Sequence, residues 1–396
     1  MLRARHTPAR PSNGGWRDGA LRAEAPEGSP LAKGDWEPFM YAAAQGRPRL
    51  CFVGPMVGRN AGYVTTQGEI LADHFRAAGY EVTSVSSAAN RYARLLDIAT
   101  TLVRCRRHAE LVLIQVFGGP SFVVEDVASV LARLSGVRVI MHLRGGALPQ
   151  FMKRFPSWSR RVMDRADVIV TPSRFLARAV EPYGYAARVI PNLVDLSVYP
   201  ARQRTHVRPR LFWMRSFHPV YNPLMALRVL WQVRTALPDA TLTMGGQDKG
   251  LEASLRREAV RLGVADAVRF VGFLDRAGKT REGEAADIFV NTSRVDNTPV
   301  AVIEACAMGL PVVSTDVGGI RDLLSDGLSG LLVPDDDVQA MAEAILRLVG
   351  EPQLAERLST NGRRLAEASS WEQVRARWQR LFAELVGRAP CAPARA

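Results

Sequence analysis

From Arg49 onward, short apolar runs alternate with amphipathic segments. Residues 50–53, 82–85, 111–116, 137–141, 168–170 and 189–190 read as strands, with helical periodicity over stretches such as 66–78 and 122–134. A second series follows at 210–214, 241–244, 268–271, 288–291, 312–315 and 331–333. Strand and helix alternating twice over predict an α/β chain with two parallel, Rossmann-like sheets in tandem. Open sheets of this kind bind ligands beyond the carboxyl ends of their strands, so a cleft between the two domains is the expected site. The pattern divides the chain into domains at 47–200 and 201–370, with a linker near 195–209 that holds Pro200 and Pro209. Helices are expected at 338–348, 352–368 and 371–386, the last after the cap pair Ser369-Ser370. That last helix, to residue 387, is long enough to cross between the domains and is expected to pack back on the first. Residues 1–46, rich in Pro, Gly, Ala and Arg without period, are expected to be a disordered tail, with residues 388–396 a second tail.

Within this pattern one stretch concentrates chemistry. Asp296-Asn-Thr-Pro-Val-Ala-Val-Ile-Glu304 follows the apolar run 288–290 and opens an Ala-rich helical segment. Thr298 suits the N-cap, and Pro299 suits the first helical position, where its missing N–H has no partner to lose. A helix start beyond a parallel strand presents unpaired N–H groups and the positive end of the helix dipole, which suits a phosphate. Glu304, one to two turns on, is placed to accept hydrogen bonds from a ribose. Taken alone, Asp296-Asn297 would equally well form a turn before the helix.

Composition adds limits. At 396 residues the chain exceeds what one core organises, which supports two domains. No apolar run approaches the ~20 residues of a membrane span, and no apolar segment backs the N-terminal arginines as in a signal peptide. Cys51, Cys105, Cys306 and Cys391 fit no metal or redox spacing and read as reduced, small apolar residues. The net charge of +13 is uneven: Lys and Arg outnumber Asp and Glu by 21 to 11 over residues 49–205, but by only 24 to 23 over residues 206–396. Aromatic and cationic residues mix over 151–161, a composition suited to the surface of an anionic membrane or to an ordinary solvated helix face. A basic protein also invites a nucleic-acid reading, but no nucleic-acid module is legible, and nucleic acid is not expected as a partner.

Several motifs together resemble glycosyltransferase family 4, whose fold is GT-B: Val189-Ile-Pro-Asn-Leu-Val-Asp195, Gly272-Phe-Leu274, the 296–304 stretch, Ala307-Met-Gly-Leu-Pro-Val-Val313 and Val317-Gly-Gly-Ile320. The resemblance covers about residues 49–387. It implies transfer of a sugar from a nucleoside-diphosphate sugar with retention of configuration, without a metal or other cofactor. It further implies a glycan or lipid-linked acceptor of the cell envelope and a cytoplasmic enzyme that can sit at the inner face of the membrane. Glu304 matches the second carboxylate of the family's Glu-x7-Glu motif, the ribose ligand, while Asp296 stands where a Glu usually faces the donor sugar. Arg215 matches the arginine that holds the diphosphate. The lysine expected about five residues later is missing, so either Arg215 suffices with backbone N–H groups or His218 and Tyr221 supply hydrogen bonds in its place. The loop from Gly54 through Gly58 to Gly62 resembles the family's glycine loop beside the donor, and His142, ending a strand, matches a position facing the donor sugar. The expected catalytic residues are thus Asp296 and His142, and the expected donor ligands Arg215, Gly62, Thr298, Pro299 and Glu304. A nucleotide-sugar epimerase, which would need no acceptor, is the alternative enzyme on this fold.

Overall fold

The computed structural model describes residues 46–58, 60 and 63–387. Gly62 and both expected tails, except Gly46, lie outside the described residues. The first sheet contains β1 (Leu50–Val53), β2 (Val82–Val85), β3 (Leu111–Val116), β4 (Arg138–Leu143), β5 (Val168–Thr171) and β6 (Ala187–Val189). Its order is β2-β1-β3-β4-β5-β6, parallel throughout. The second contains β7 (Arg210–Met214), β8 (Thr241–Gly245), β9 (Val268–Gly272), β10 (Ile288–Asn291), β11 (Val312–Thr315) and β12 (Leu331–Val333), in the order β12-β11-β10-β7-β8-β9 and again parallel.

Strand β3 shows why the apolar runs are continuous. Val112, Ile114 and Val116 join one buried layer, and Leu111 and Leu113 join the layer on the opposite face, so both faces of the sheet are covered. The helices begin where the sequence caps them. Thr66 and Glu69 form a reciprocal capping box at helix Gln67–Ala77, and Asp337 and Ser370 cap helices Val338–Gly350 and Trp371–Val386.

The two last long helices divide between the domains. Helix Pro352–Glu367 packs on the second, where Gly362 lies against Cys306. Helix Trp371–Val386 sets Val374, Trp378, Leu381, Phe382 and Leu385 into a core with Leu50, Phe52, Phe75 and Leu113 of the first. The crossing therefore falls in the short break between the helices, where the Ser369 carbonyl accepts from the Val194 N–H at 2.9 Å. The final helix thus follows the crossing and packs back on the first domain.

The aromatic residues of 151–161 are largely used inside the fold. Phe122, Phe151 and Trp158 form a ring cluster, and Trp158 Nε1, Arg161 and Arg165 all donate to the Asp126 carboxylate.

Candidate functional site

The C-terminal ends of the two sheets meet at the loop after β10. Ser173 Oγ is hydrogen-bonded to Asn297 Oδ1, and Asn192 Nδ2 donates to the Thr298 carbonyl at 3.0 Å. Arg144 donates to Asn192 Oδ1 at 2.8 Å, so the loop after β4 and the Pro191-Asn192 segment hold the 296–298 backbone from the side of the first domain. From the other side, Gly318 and Gly319 approach so closely that a Cβ on either would overlap the carbonyl oxygen of Asp296 or Asn297. The glycine pair exists to admit this backbone.

Each end of the 296–304 stretch carries a carboxylate with a cation on it. Asp296 Oδ2 is paired with Arg215 and also accepts from Ser293 Oγ at 3.3 Å, while Oδ1 accepts from the Asn297 N–H at 2.9 Å. The Arg215 guanidinium lies over the Tyr221 ring, 4.1 Å from its centroid, and its Nε is buried without a partner. Tyr221 therefore supports Arg215 as a π-surface. His218 is occupied differently again, its Nδ1 accepting from the Val220 N–H at the start of a short turn.

Glu304 is 7% exposed. Lys279 Nζ donates to its Oε1 and Oε2 at 2.8 and 2.9 Å, and the Tyr199 hydroxyl donates to Oε1 at 2.8 Å. Burial, then the Glu304 charge, push the Tyr199 hydroxyl far above its ordinary range, so it acts as a donor only. Lys279 was not singled out in the sequence. Its one signal is its place four residues after Asp275, the residue that caps helix Arg276–Ala285 just past the Gly272-Phe-Leu turn.

One expectation is corrected. Helix Val300–Ala307 starts one residue later than expected: Pro299 is its N-cap, and the Thr298 side chain caps nothing, its Oγ1 buried without a partner. The first-turn N–H groups thus have no side-chain cap; that of Val302 donates to the Pro299 carbonyl at 3.1 Å, and those of Val300 and Ala301 suit an anion. His142, 4% exposed, packs edge-on against Trp378 with the ring centroids 5.3 Å apart. Burial, then the charge of Arg144, hold its pKa well below the ordinary value, so the ring is neutral. Nε2 lies 3.3 Å from Arg144 NH1 and Nδ1 has no partner, which assigns the acceptor role to Nε2. His142 is linked to the 296–298 loop through Arg144 and Asn192. The glycine loop is anchored by Gly58, whose N–H donates to Glu69 Oε1 at 2.8 Å, while Gly62 lies outside the described residues.

Two parallel sheets with a carboxylate-flanked helix start at their junction define a two-domain α/β protein of the GT-B kind. The family description "Glycosyltransferase Family 4" matches residues 68–198, and "Glycosyl transferases group 1" matches residues 208–351. The chain carries these two glycosyltransferase domains in tandem. It is 34% identical over 162 residues to D-inositol 3-phosphate glycosyltransferase of Jonesia denitrificans, covering 39% of this chain and 38% of that protein. It is 29% identical over 231 residues to phosphatidyl-myo-inositol mannosyltransferase of Mycobacterium leprae, covering 57% and 60%. With the GDP-mannose-dependent alpha-(1-6)-phosphatidylinositol monomannoside mannosyltransferase of Mycolicibacterium smegmatis it shares 30% identity over 249 residues, covering 58% and 64%. The chain thus spans between 38% and 64% of the length of these relatives. Its fold matches sucrose-phosphate synthase from Thermosynechococcus elongatus with TM-score 0.71 at 17% identity, covering 87% of this chain and all of that one. Anabaena HepE in complex with UDP and glucose matches with the same TM-score at 16% identity, covering 85% and 100%.

Proposed function

We propose that the chain is a retaining glycosyltransferase that moves a sugar from a nucleoside-diphosphate sugar to a polyol, lipid-linked or polysaccharide acceptor of the cell envelope. The observation that carries this reading is the pair of cation-bound carboxylates, Arg215 with Asp296 and Lys279 with Glu304, at the two ends of one uncapped helix start. In this reading the diphosphate lies over Arg215 and the N–H groups beyond Thr298 and Pro299. The ribose lies at Glu304, and Asp296 faces the sugar ring.

Breaking the anomeric C–O bond builds negative charge on the leaving diphosphate and positive charge on the ring. Arg215 and the helix N-terminus answer the first, and the Asp296 carboxylate the second. The Asp296–Arg215 pair must loosen as the donor's phosphate takes up the guanidinium. Substitution on the same face, with the departing phosphate accepting the acceptor's proton, needs neither a paired acid and base nor a metal. His142, neutral and enclosed, positions Arg144 in this scheme and does not itself carry a proton. The relatives named for inositol phosphate and phosphatidylinositol substrates support a polyol or lipid-linked acceptor, and the one named for GDP-mannose supports a nucleotide-sugar donor.

No described helix is long and apolar enough to cross a membrane. A cytoplasmic enzyme in peripheral contact with the anionic inner leaflet fits the basic first domain. The surface best suited to that contact is helix Arg91–Cys105, where Tyr92 and Leu96 are 72% and 66% exposed beside Arg91, Arg104, Arg106 and Arg107.

The test offers the purified protein a panel of radiolabelled nucleotide sugars with inositol and phosphatidylinositol acceptors. Transfer is expected with one donor, and Glu304→Ala is expected to lower kcat/KM by on the order of 10²-fold or more, because a buried hydroxyl ligand is lost. Full activity in that variant would remove the assignment of the site.

A further inference from the structure

We propose that Lys279 sets the site's selectivity for the donor nucleotide's pentose: with Glu304 it reads a ribose hydroxyl, so the site takes ribonucleotide donors and rejects deoxyribonucleotide ones. The inference rests on the donor-site reading above and adds to it a residue and a selectivity.

The argument is an inventory of donors and acceptors. A carboxylate offers about four lone-pair directions and an ammonium three N–H donors. At Glu304, Oε1 already accepts from Lys279 and from Tyr199, whereas Oε2 accepts from Lys279 alone. One lone pair on Oε2 is left over. Lys279 spends two of its donors on Glu304, which leaves one N–H beside that lone pair. Tyr199 can add nothing, because its proton is held and already committed. An acceptor and a donor side by side match a hydroxyl, which gives one hydrogen bond and takes another. A C–H in the same place satisfies neither.

Position supports the reading. The Lys279 side chain is 19% exposed and that of Glu304 9%, so a ligand that excludes the remaining water would leave both groups unpaired if it lacked the hydroxyl. Rejection of this kind, by stranding buried polar groups, discriminates far better than loss of an apolar contact. The ammonium is also fixed in place. Asp275 Oδ1 accepts from the Gly278 N–H at 2.7 Å and the Asp275 carbonyl from the Lys279 N–H at 2.9 Å, which pins the first turn of helix Arg276–Ala285. Lys279 has a further electrostatic effect: it offsets the Glu304 charge close to where a doubly charged diphosphate must bind.

A lysine that merely neutralised Glu304 would behave differently. Its removal would weaken every nucleotide by the same factor.

The experiment measures binding of UDP, 2′-deoxy-UDP and 3′-deoxy-UDP, and of the three guanosine counterparts, to the full chain by calorimetry. The wild-type protein is expected to prefer the ribonucleotide of its cognate base over at least one deoxy form by about tenfold or more. Lys279→Met is expected to reduce that ratio to under about threefold, and Lys279→Arg, which keeps a donor, to restore part of it. Thermal unfolding checks that the variants are folded, and Lys279→Gln serves if the Met variant is not. An unchanged ratio in a folded variant whose affinities all fall together overturns the role of Lys279, as does a wild-type protein that binds ribo and deoxy forms alike. Failure of every nucleoside diphosphate to bind the wild-type chain would instead overturn the donor-site reading itself.

Discussion

At the scale of single residues, the recurring device is a charge held ready by a neighbour. Asp296 and Glu304 lie eight positions apart, and the arginine after β7 was legible from its place at a strand end. What the spacing could not show is that each carboxylate has a cation of its own. Lys279 is 25 residues from Glu304 along the chain, and no local period links them. Glu125 is another buried carboxyl, outside the proposed donor site. It is 3% exposed, its Oε1 accepts from the Phe117 N–H at 2.9 Å, and its Oε2 has no partner. Burial pushes its pKa up to about 8. Between the unfolded value, 4.5, and about 8 the folded state therefore binds more protons than the unfolded one, so its contribution to stability is full below 4.5 and is lost as pH rises through that window. Glu125→Gln, which keeps an acceptor for Phe117, is expected to flatten the decline. Denaturant unfolding from pH 5 to 9 should show the variant gaining on the wild type as pH rises, and parallel curves would contradict the assignment.

At the scale of elements, the proposed donor site depends on a helix start that is held from outside. Helix Val300–Ala307 has no side-chain cap of its own, and its position comes from contacts to the loop before it: Ser173 on Asn297, Asn192 on Thr298, and the glycine pair 318–319 beneath both. Val317-Gly-Gly-Ile320 was recognisable as a motif, but its purpose is steric and needs the facing backbone to be seen. Gly319 has an ordinary φ of −89°, so an alanine there meets no backbone strain and tests the close approach alone. Gly319→Ala is expected to cost about 1–3 kcal/mol of stability, measured by urea unfolding, and to weaken nucleotide binding, because the Asn297 carbonyl must move to make room. Unchanged stability would mean that the loop tolerates the added methyl without shifting. The correction at Thr298 belongs to this scale too. Local propensity favoured it as a cap, yet the loop's tertiary contacts turn its carbonyl towards Asn192 and leave the helix to begin after Pro299.

At the scale of the whole molecule, the chain leaves the second domain at residue 368 and returns to the first, where Trp378 packs against His142 and Phe382. The basic excess lies in that first domain. With its exposed Tyr92 and Leu96, this predicts binding to vesicles containing anionic lipid at low salt, weakening several-fold towards 0.5 M salt as the Debye length falls below about 5 Å. Tyr92→Ser with Leu96→Ser is expected to reduce sedimentation with the vesicles and leave nucleotide binding unchanged; retention on neutral vesicles at high salt would refute an electrostatic contact.

Much of this architecture was written in the chain itself. Strands buried on both faces leave unbroken apolar runs, and capping residues mark helix starts, so the two sheets and most boundaries followed from periodicity, and the 296–304 stretch from its flanking carboxylates. Only the tertiary structure decided which cation meets which carboxylate, that His142 is enclosed by a helix more than 200 residues later, and that aromatic residues over 151–161 serve an internal cluster. Those facts depend on side chains brought together from distant elements, and a one-dimensional pattern records each partner without recording that they meet.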